Sequence, residues 1–152
     1  MGVARWGHTA TTLASGKVLI AGGCNNTQSS EAVCDNFLDS AELYDPARGT
    51  FTLTGAMTAA RRGHTATLLA DGRVLLAGGV DASGALGSAE IYDPQTGSFT
   101  PAGPMAEARA EHTASLLSGG RVLIAGGKGA EYLAGAEIFD PGTGTFAPVS
   151  SP

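Results

Sequence analysis

The sequence predicts an all-β protein of three like units, each a four-stranded antiparallel sheet, set radially as blades about an axis. Three observations carry this. First, one string recurs: Arg5-Trp6-Gly7-His8-Thr9-Ala10-Thr11, Arg61-Arg62-Gly63-His64-Thr65-Ala66-Thr67 and Arg109-Ala110-Glu111-His112-Thr113-Ala114-Ser115, with the histidines 56 and then 48 positions apart. Second, each copy runs on into the same landmarks. Ala-Gly-Gly stands at Ala21, Ala77 and Ala125, and Ala-Glu-Leu/Ile-aromatic-Asp-Pro at Ala41, Ala89 and Ala136. Gly-Thr/Ser-Phe closes each copy at Gly49, Gly97 and Gly144. Third, the 23 glycines, about twice the average share, recur at fixed offsets, so they mark turns between short buried segments. Self-similarity of this kind signals a repeat architecture, and no helical period competes with it.

The elements follow in order. A first strand over His8 to Leu13 alternates small and β-branched residues, which suits a crowded place near the axis. Ser15-Gly16, Asp71-Gly72 and Gly119-Gly120 predict two-residue hairpin turns with both central residues at positive φ. The second strand is a continuous apolar run, Val18-Leu19-Ile20, Val74-Leu75-Leu76 and Val122-Leu123-Ile124, as expected when both faces of a sheet are covered. Ala41 to Tyr44 makes the third strand. Asp45-Pro46 turns the chain, with Gly49 in the left-handed position, and Thr50 to Leu53 makes the fourth. The blades span about residues 4–55, 60–103 and 108–149 of a single repeat region, 1–152. From Gly23 to Ala41 is 18 positions and from Gly79 to Ala89 is 10, so the longer first copy carries its excess between the second and third strands.

The repeat resembles the Kelch motif, in the Gly-Gly pair ending the second strand, the aromatic-Asp-Pro ending the third and an aromatic in the fourth. That last aromatic is Phe51, Phe99 and Phe146, where Kelch repeats usually have Trp. The Met-x-x-x-Arg leading into a new copy, Met57 to Arg61 and Met105 to Arg109, fits as well. The resemblance implies a Kelch-type β-propeller whose first strands are innermost, and a module that meets ligands on its blade-joining and second-to-third strand loops. It also implies a departure. Closed propellers have four to eight blades, and this chain has three. Either it is a partial propeller, a piece of something longer, or it is half of a six-bladed ring closed by a homodimer through the apolar faces of its end blades.

Composition excludes several classes. A net charge of −5 at pH 7 gives no electrostatic footprint for nucleic acid. No run of 18 apolar residues predicts a transmembrane helix. The N-terminal residues do not read as a signal peptide, and the compartment stays open, since a longer parent could be secreted. Neither a cofactor nor a metal site is predicted.

Candidate site residues divide by whether the copies agree. His8, His64 and His112 read as structural, each capping a strand and bonding a neighbouring blade, since repetition argues against one convergent site. Glu42, Glu90 and Glu137 recur with Arg5, Arg61 and Arg109, which reads as a repeated ion pair between blades. Asp45, Asp93 and Asp140 read as turn residues. Function belongs where the copies differ, on loops held by a rigid scaffold. The long loop from Cys24 to Asp39 carries Asn25, Asn26, Gln28, Glu31, Phe37 and Leu38. Cys24 and Cys34 either clip it with a disulfide, stabilising it by about 2–3 kcal/mol, or are two free thiols of a reducing compartment. The blade-joining segments add Arg5, Trp6, Arg61, Arg62, Arg109 and Glu111, and the shorter loops add Asp81, Lys128, Glu131 and Tyr132. The function expected is a non-catalytic module recognising protein or carbohydrate. The alternatives are a fragment of a propeller enzyme, like galactose oxidase or a sialic-acid mutarotase, or a structural fragment without a ligand. The copper version is disfavoured, because Tyr44 and Tyr92 are repeat positions and both cysteines sit in one loop.

Overall fold

The computed structural model describes residues 1–26 and 34–149 of the 152-residue chain. Among them every regular element is a strand. The first blade contains β1 (Thr9–Thr12), β2 (Val18–Ala21), the short β3 (Cys24–Asn25) and β4 (Asn36–Phe37), then β5 (Ala41–Asp45) and β6 (Thr50–Leu53). The second contains β7 (Thr65–Leu68), β8 (Val74–Ala77), the short β9 (Val80–Asp81) and β10 (Gly84–Ala85), then β11 (Ala89–Asp93) and β12 (Ser98–Pro101). The third contains β13 (Thr113–Leu116), β14 (Val122–Ala125), β15 (Ala136–Asp140) and β16 (Thr145–Pro148). Each blade is a four-stranded sheet with its strands in chain order, antiparallel throughout, and none of the sheets closes on itself. Strand β7 packs between β1 and β13, so the first strands are the innermost. The two-stranded β3–β4 and β9–β10 hairpins were not expected from the sequence.

The first hairpin of each blade corrects one expectation. Leu13 N–H donates to Lys17 O at 2.8 Å, and Gly16 N–H donates to Leu13 O at 2.9 Å. The loop is therefore the three residues Ala14, Ser15 and Gly16, and only Gly16 has positive φ, 79°. The bonds of Leu69 and Leu117 repeat this. Such a loop is a type I turn followed by a left-handed residue, which needs one glycine rather than two permissive residues. The second turn is as the sequence indicates. Asp45 Oδ1 accepts from Ala47 N–H at 3.0 Å, and the carboxylates of Asp93 and Asp140 accept likewise from Gln95 and Gly142.

The core lies between blades rather than within them. One apolar cluster joins Leu13, Leu19, Ala41 and Met57 of the first blade to Val74, Leu76, Tyr92 and Phe99 of the second. Its copy joins Leu69, Leu75, Ile91 and Met105 to Val122, Ile124 and Phe139. This explains the unbroken apolar runs: alternate residues of one strand face opposite neighbours. All four residues of β8 are buried, whereas in β14 Leu123 and Ala125 are only half-buried. The aromatic of the third strand pairs across the ladder with the Phe of the fourth: Tyr44–Phe51, Tyr92–Phe99 and Phe139–Phe146 each have ring centroids 4.8 Å apart. Tyr92 OH and Thr54 Oγ1 share a 2.9 Å bond across the first interface. At the second interface the same places hold Phe139 and Ala102, and hydroxyl donor and acceptor are lost together, which leaves no orphaned polar group.

Candidate functional site

Antiparallel order places both kinds of long loop on one edge of each blade. The end of the second strand, the start of the third, the end of the fourth and the start of the first all meet there. The turns between first and second and between third and fourth strands occupy the opposite edge. Two clefts on that opposite edge are copies of each other, lined in one case by Leu69, Asp71, Arg121 and Asp140 and in the other by Leu13, Ser15, Arg73 and Asp93. Being repeated, they are the gaps that radial stacking leaves. The differing residues lie on the loop edge.

The repeated residues of that edge hold the blades together. Arg61 has a fully buried side chain, which meets Glu90 at 2.9 Å. Its Nη1 donates to Gly78 O at 2.7 Å and Ser88 O at 3.1 Å. Glu90 also accepts from the N–H groups of Thr58 and Ala59 at 2.8 and 3.2 Å. The Arg61 main chain serves the other blade, its carbonyl accepting from Gly23 N–H at 2.8 Å. Arg5 with Glu42 and Arg109 with Glu137 repeat the pattern at 3.1 and 3.0 Å. The expectation that Arg5, Arg61 and Arg109 line a ligand-contacting loop is corrected by this geometry. Their guanidinium groups are sealed from solvent, and their Nη atoms are spent on carbonyls and carboxylates, as a buried charge requires. Burial pulls the Arg61 pKa below its usual value, with Glu90 opposing it. Burial also pushes the Glu42 carboxyl up, but the Gly2 N–H and the Arg5 guanidinium outweigh it and the net shift is downward.

Two of the three repeated histidines, His64 and His112, are spent in the same way, while His8 has no such threonine opposite it among the described residues. His64 Nε2 and Thr9 Oγ1 share a bond of 2.9 Å across the first interface, and His112 Nε2 and Thr65 Oγ1 share one of 2.9 Å across the second. Beside each His ring lies the first glycine of the preceding Gly-Gly pair. A Cβ at Gly22 would meet Arg61 O at 2.5 Å and His64 Cε1 at 2.9 Å, so nothing larger fits.

The differing residues gather at one place. Arg62 Cζ stands 4.8 Å from the centroid of the Trp6 ring and 5.9 Å from that of Phe37. Trp6 is 44% exposed. Bridges from Trp6 to Cys24 and from Arg62 to Val80 fix both main chains, and a disulfide between Cys24 and Cys34, with Cα atoms 5.8 Å apart, clips the loop that carries Phe37. Asn36 Nδ2 donates to Asn25 Oδ1 at 2.6 Å beside it. Asn26 is exposed next to Asn25. Gln28 and Glu31 lie outside the described residues. Farther along the edge, Lys128 Nζ stands 5.6 Å from the ring of Tyr132, which is 85% exposed. The Asp81 carboxylate accepts from the Ser83 hydroxyl and N–H, which hold its pKa below the usual range. It is thereby tied into its own turn.

Glu111 was singled out because it differs from Gly7 and Gly63, and the structure gives the physical reason that it matters. Gly7 and Gly63 have φ of 65° and 62°, and Glu111, exposed, has φ of 54°. Gly63 N–H donates to Gly7 O and Glu111 N–H to Gly63 O, both at 2.9 Å, in a run around the axis. A left-handed L-residue costs about 1–2 kcal/mol, and a new glycine gives back part of that by loosening the unfolded chain. Glu111→Gly is therefore expected to raise stability by up to about 1 kcal/mol, or Tm by about 2–4 °C. An unchanged or lower melting temperature would show that the Glu111 side chain earns its place by a contact.

The Kelch motif matches residues 61–106, which is the second blade with its entry segment and Met105. No curated protein matches the chain.

Proposed function

We propose that this Kelch-repeat chain is a non-catalytic binding module that takes a protein or carbohydrate ligand on its loop edge, centred on Trp6, Arg62 and Phe37. The stack of Arg62 on Trp6 carries the reading. An exposed aromatic ring with a guanidinium over it, fixed by a bridged main chain and a clipped loop, is the kind of anchor that dominates binding energy. It offers an apolar ring face for a sugar or side chain and planar donors for a carboxylate or hydroxyl. The same reading explains why His64, His112 and the arginine–glutamate pairs do not form the site: they are consumed by the contacts that set the scaffold. Lys128 and Tyr132 form the outer rim, and Glu111 lies between.

The test is equilibrium binding to a panel of oligosaccharides and of peptides, for the parent chain, Trp6→Ala and Arg62→Ala. A ligand held by the parent should be weakened tenfold or more by either change, the equivalent of about 1.4 kcal/mol. Trp6 is exposed and Arg62 half-buried, and neither belongs to the apolar clusters between the blades, so the melting temperature should fall only slightly. A ligand bound equally by all three proteins would put the site elsewhere. A panel with no ligand for the parent would refute the reading.

A further inference from the structure

The fourth strand of each blade is its outermost, and one side of it meets no further strand of its sheet. In β6 the hydrogen bonds fix which groups look outward. Thr54 N–H donates to Ala41 O at 3.1 Å, and the register sets Thr52 opposite Leu43 and Leu53 opposite Glu42. Bonded and non-bonded pairs alternate along an antiparallel ladder. Thr52 therefore bonds inward to Leu43, while the N–H and C=O groups of Phe51 and Leu53 point away from the blade. Ala102 and Val149 set the same alternation in the other two blades, donating to Ala89 O and Ala136 O.

The three outer strands differ at one outward position. Leu53 is answered by Pro101 in β12 and by Pro148 in β16. Proline has no N–H to offer a further strand, and it is one of the residues by which natural sheets blunt an edge. The first blade lacks that protection. Leu53 keeps its N–H, its side chain is 74% exposed, and all four residues of β6 are exposed and uncharged. The openness of this edge does not come from standing at an end of the row. The middle blade has a blade on each side, yet its Ser98, Thr100 and Pro101 are exposed too. Blades pack face to face, so a further blade would leave the edge as open.

We propose that β6 pairs edge to edge with β6 of a second copy of this chain, antiparallel about a two-fold axis at Thr52, so that two four-stranded blades join in one continuous sheet. The contact is self-complementary, as a two-fold interface must be. Phe51 lies opposite the partner's Leu53, and Leu53 opposite the partner's Phe51. This is the register in which both outward residues of β6 meet an outward residue of β6, and each such pair exchanges two main-chain bonds. Between them Thr52 faces the partner's Thr52 as a non-bonded pair, which brings the two side chains close. Leu53 covers its exposed side chain against the partner's Phe51. Neither strand carries a charge, so two chains of net charge −5 meet where they repel least. None of these contacts uses Trp6, Arg62 or Phe37, and the pairing stands apart from the ligand reading.

Amide hydrogen exchange, with light scattering on a sizing column, tests the pairing for the parent chain, Leu53→Pro and Leu53→Lys. Phe99 and Phe146 are the internal reference, because their N–H groups point outward in the same way beside a proline. At high concentration the Phe51 and Leu53 amides should exchange at least tenfold more slowly than those of Phe99 and Phe146, and dilution should abolish the difference. Leu53→Pro repeats what the other two blades already carry, so it should keep a cooperative thermal transition. Leu53→Lys keeps the N–H and sets a charge against the partner's Phe51. Both should free the Phe51 amide and bring the mass from two chains of 15.1 kDa to one. Phe51 and Leu53 amides as free as that of Phe99 at every concentration would leave the edge to a strand of some other protein and overturn the proposal. Protection of Phe51 that survives both substitutions would overturn it as well.

Discussion

Replacing Arg61 with alanine is expected to cost about 3–5 kcal/mol of stability, the usual consequence of leaving one member of a buried ion pair alone. For a chain of this length that is a fall in Tm of roughly 10 °C. The cost has two sources here. Glu90 loses its ion-pair partner in a place without solvent, and the carbonyls of Gly78 and Ser88 lose their donors. Buried ion pairs can often be replaced by apolar residues with little loss, but this one should not be. Arg61 bonds two main-chain carbonyls and Glu90 bonds two main-chain N–H groups besides one another. The double variant Arg61→Met, Glu90→Leu should therefore stay at least as unstable as Arg61→Ala, because four main-chain groups are orphaned at once. Urea unfolding of the three proteins measures this. A double variant restored to the parent's stability would mean that the pair is no more than a neutralised charge.

How far the sequence could be read follows from what each residue answers to. Gly49 and Asp45 answer to a local backbone demand, so their positions could be placed from the residue types alone. Arg61 and Glu90 answer to each other, and their joint recurrence pointed to the pair. That recurrence could not show that the arginine is sealed in, and so it was also counted among the loop contacts. Ser15-Gly16 misled because the dipeptide fits a two-residue turn equally well. Only the closing bond from Leu13 to Lys17 shows a third residue in the loop. The convergence of Trp6, Arg62 and Phe37 was not legible at all as a cluster. Arg62 belongs to the entry of the next blade, and it returns over Trp6 only because the blades stack. Each residue was selected singly, for differing between copies, and the stacking that joins them is a property of the assembled repeat.

Acid is expected to unfold the protein earlier than its carboxylates alone would require, and the two interface histidines are the reason. Burial, then the nearby charge of Arg61 and the other two imidazoles, pushes His64 down to about 3, and burial with Arg109 pushes His112 down to about 4. Above the ordinary value of 6.5 both rings are neutral in the folded and unfolded chain, and stability is full. As pH falls below 6.5 the unfolded chain takes up protons that the folded chain refuses, so stability drops steadily until the folded pKa values are reached. Each ring contributes roughly 1.4 kcal/mol per pH unit well inside that window. The carboxylates held low in the fold, Glu42, Asp71 and Asp81, act in the same direction but only as the unfolded chain's acids titrate, near and below about pH 4.5. Between pH 7 and about pH 5 the slope therefore belongs to histidine. His64→Gln keeps an amide able to reach Thr9 and removes the titration. It should be less stable than the parent at pH 7, yet show about half the parent's loss of unfolding free energy between pH 7 and 5. An unchanged slope in that variant would mean that His64 titrates alike in the folded and unfolded chain, and a steeper one that the fold holds it protonated against Thr9.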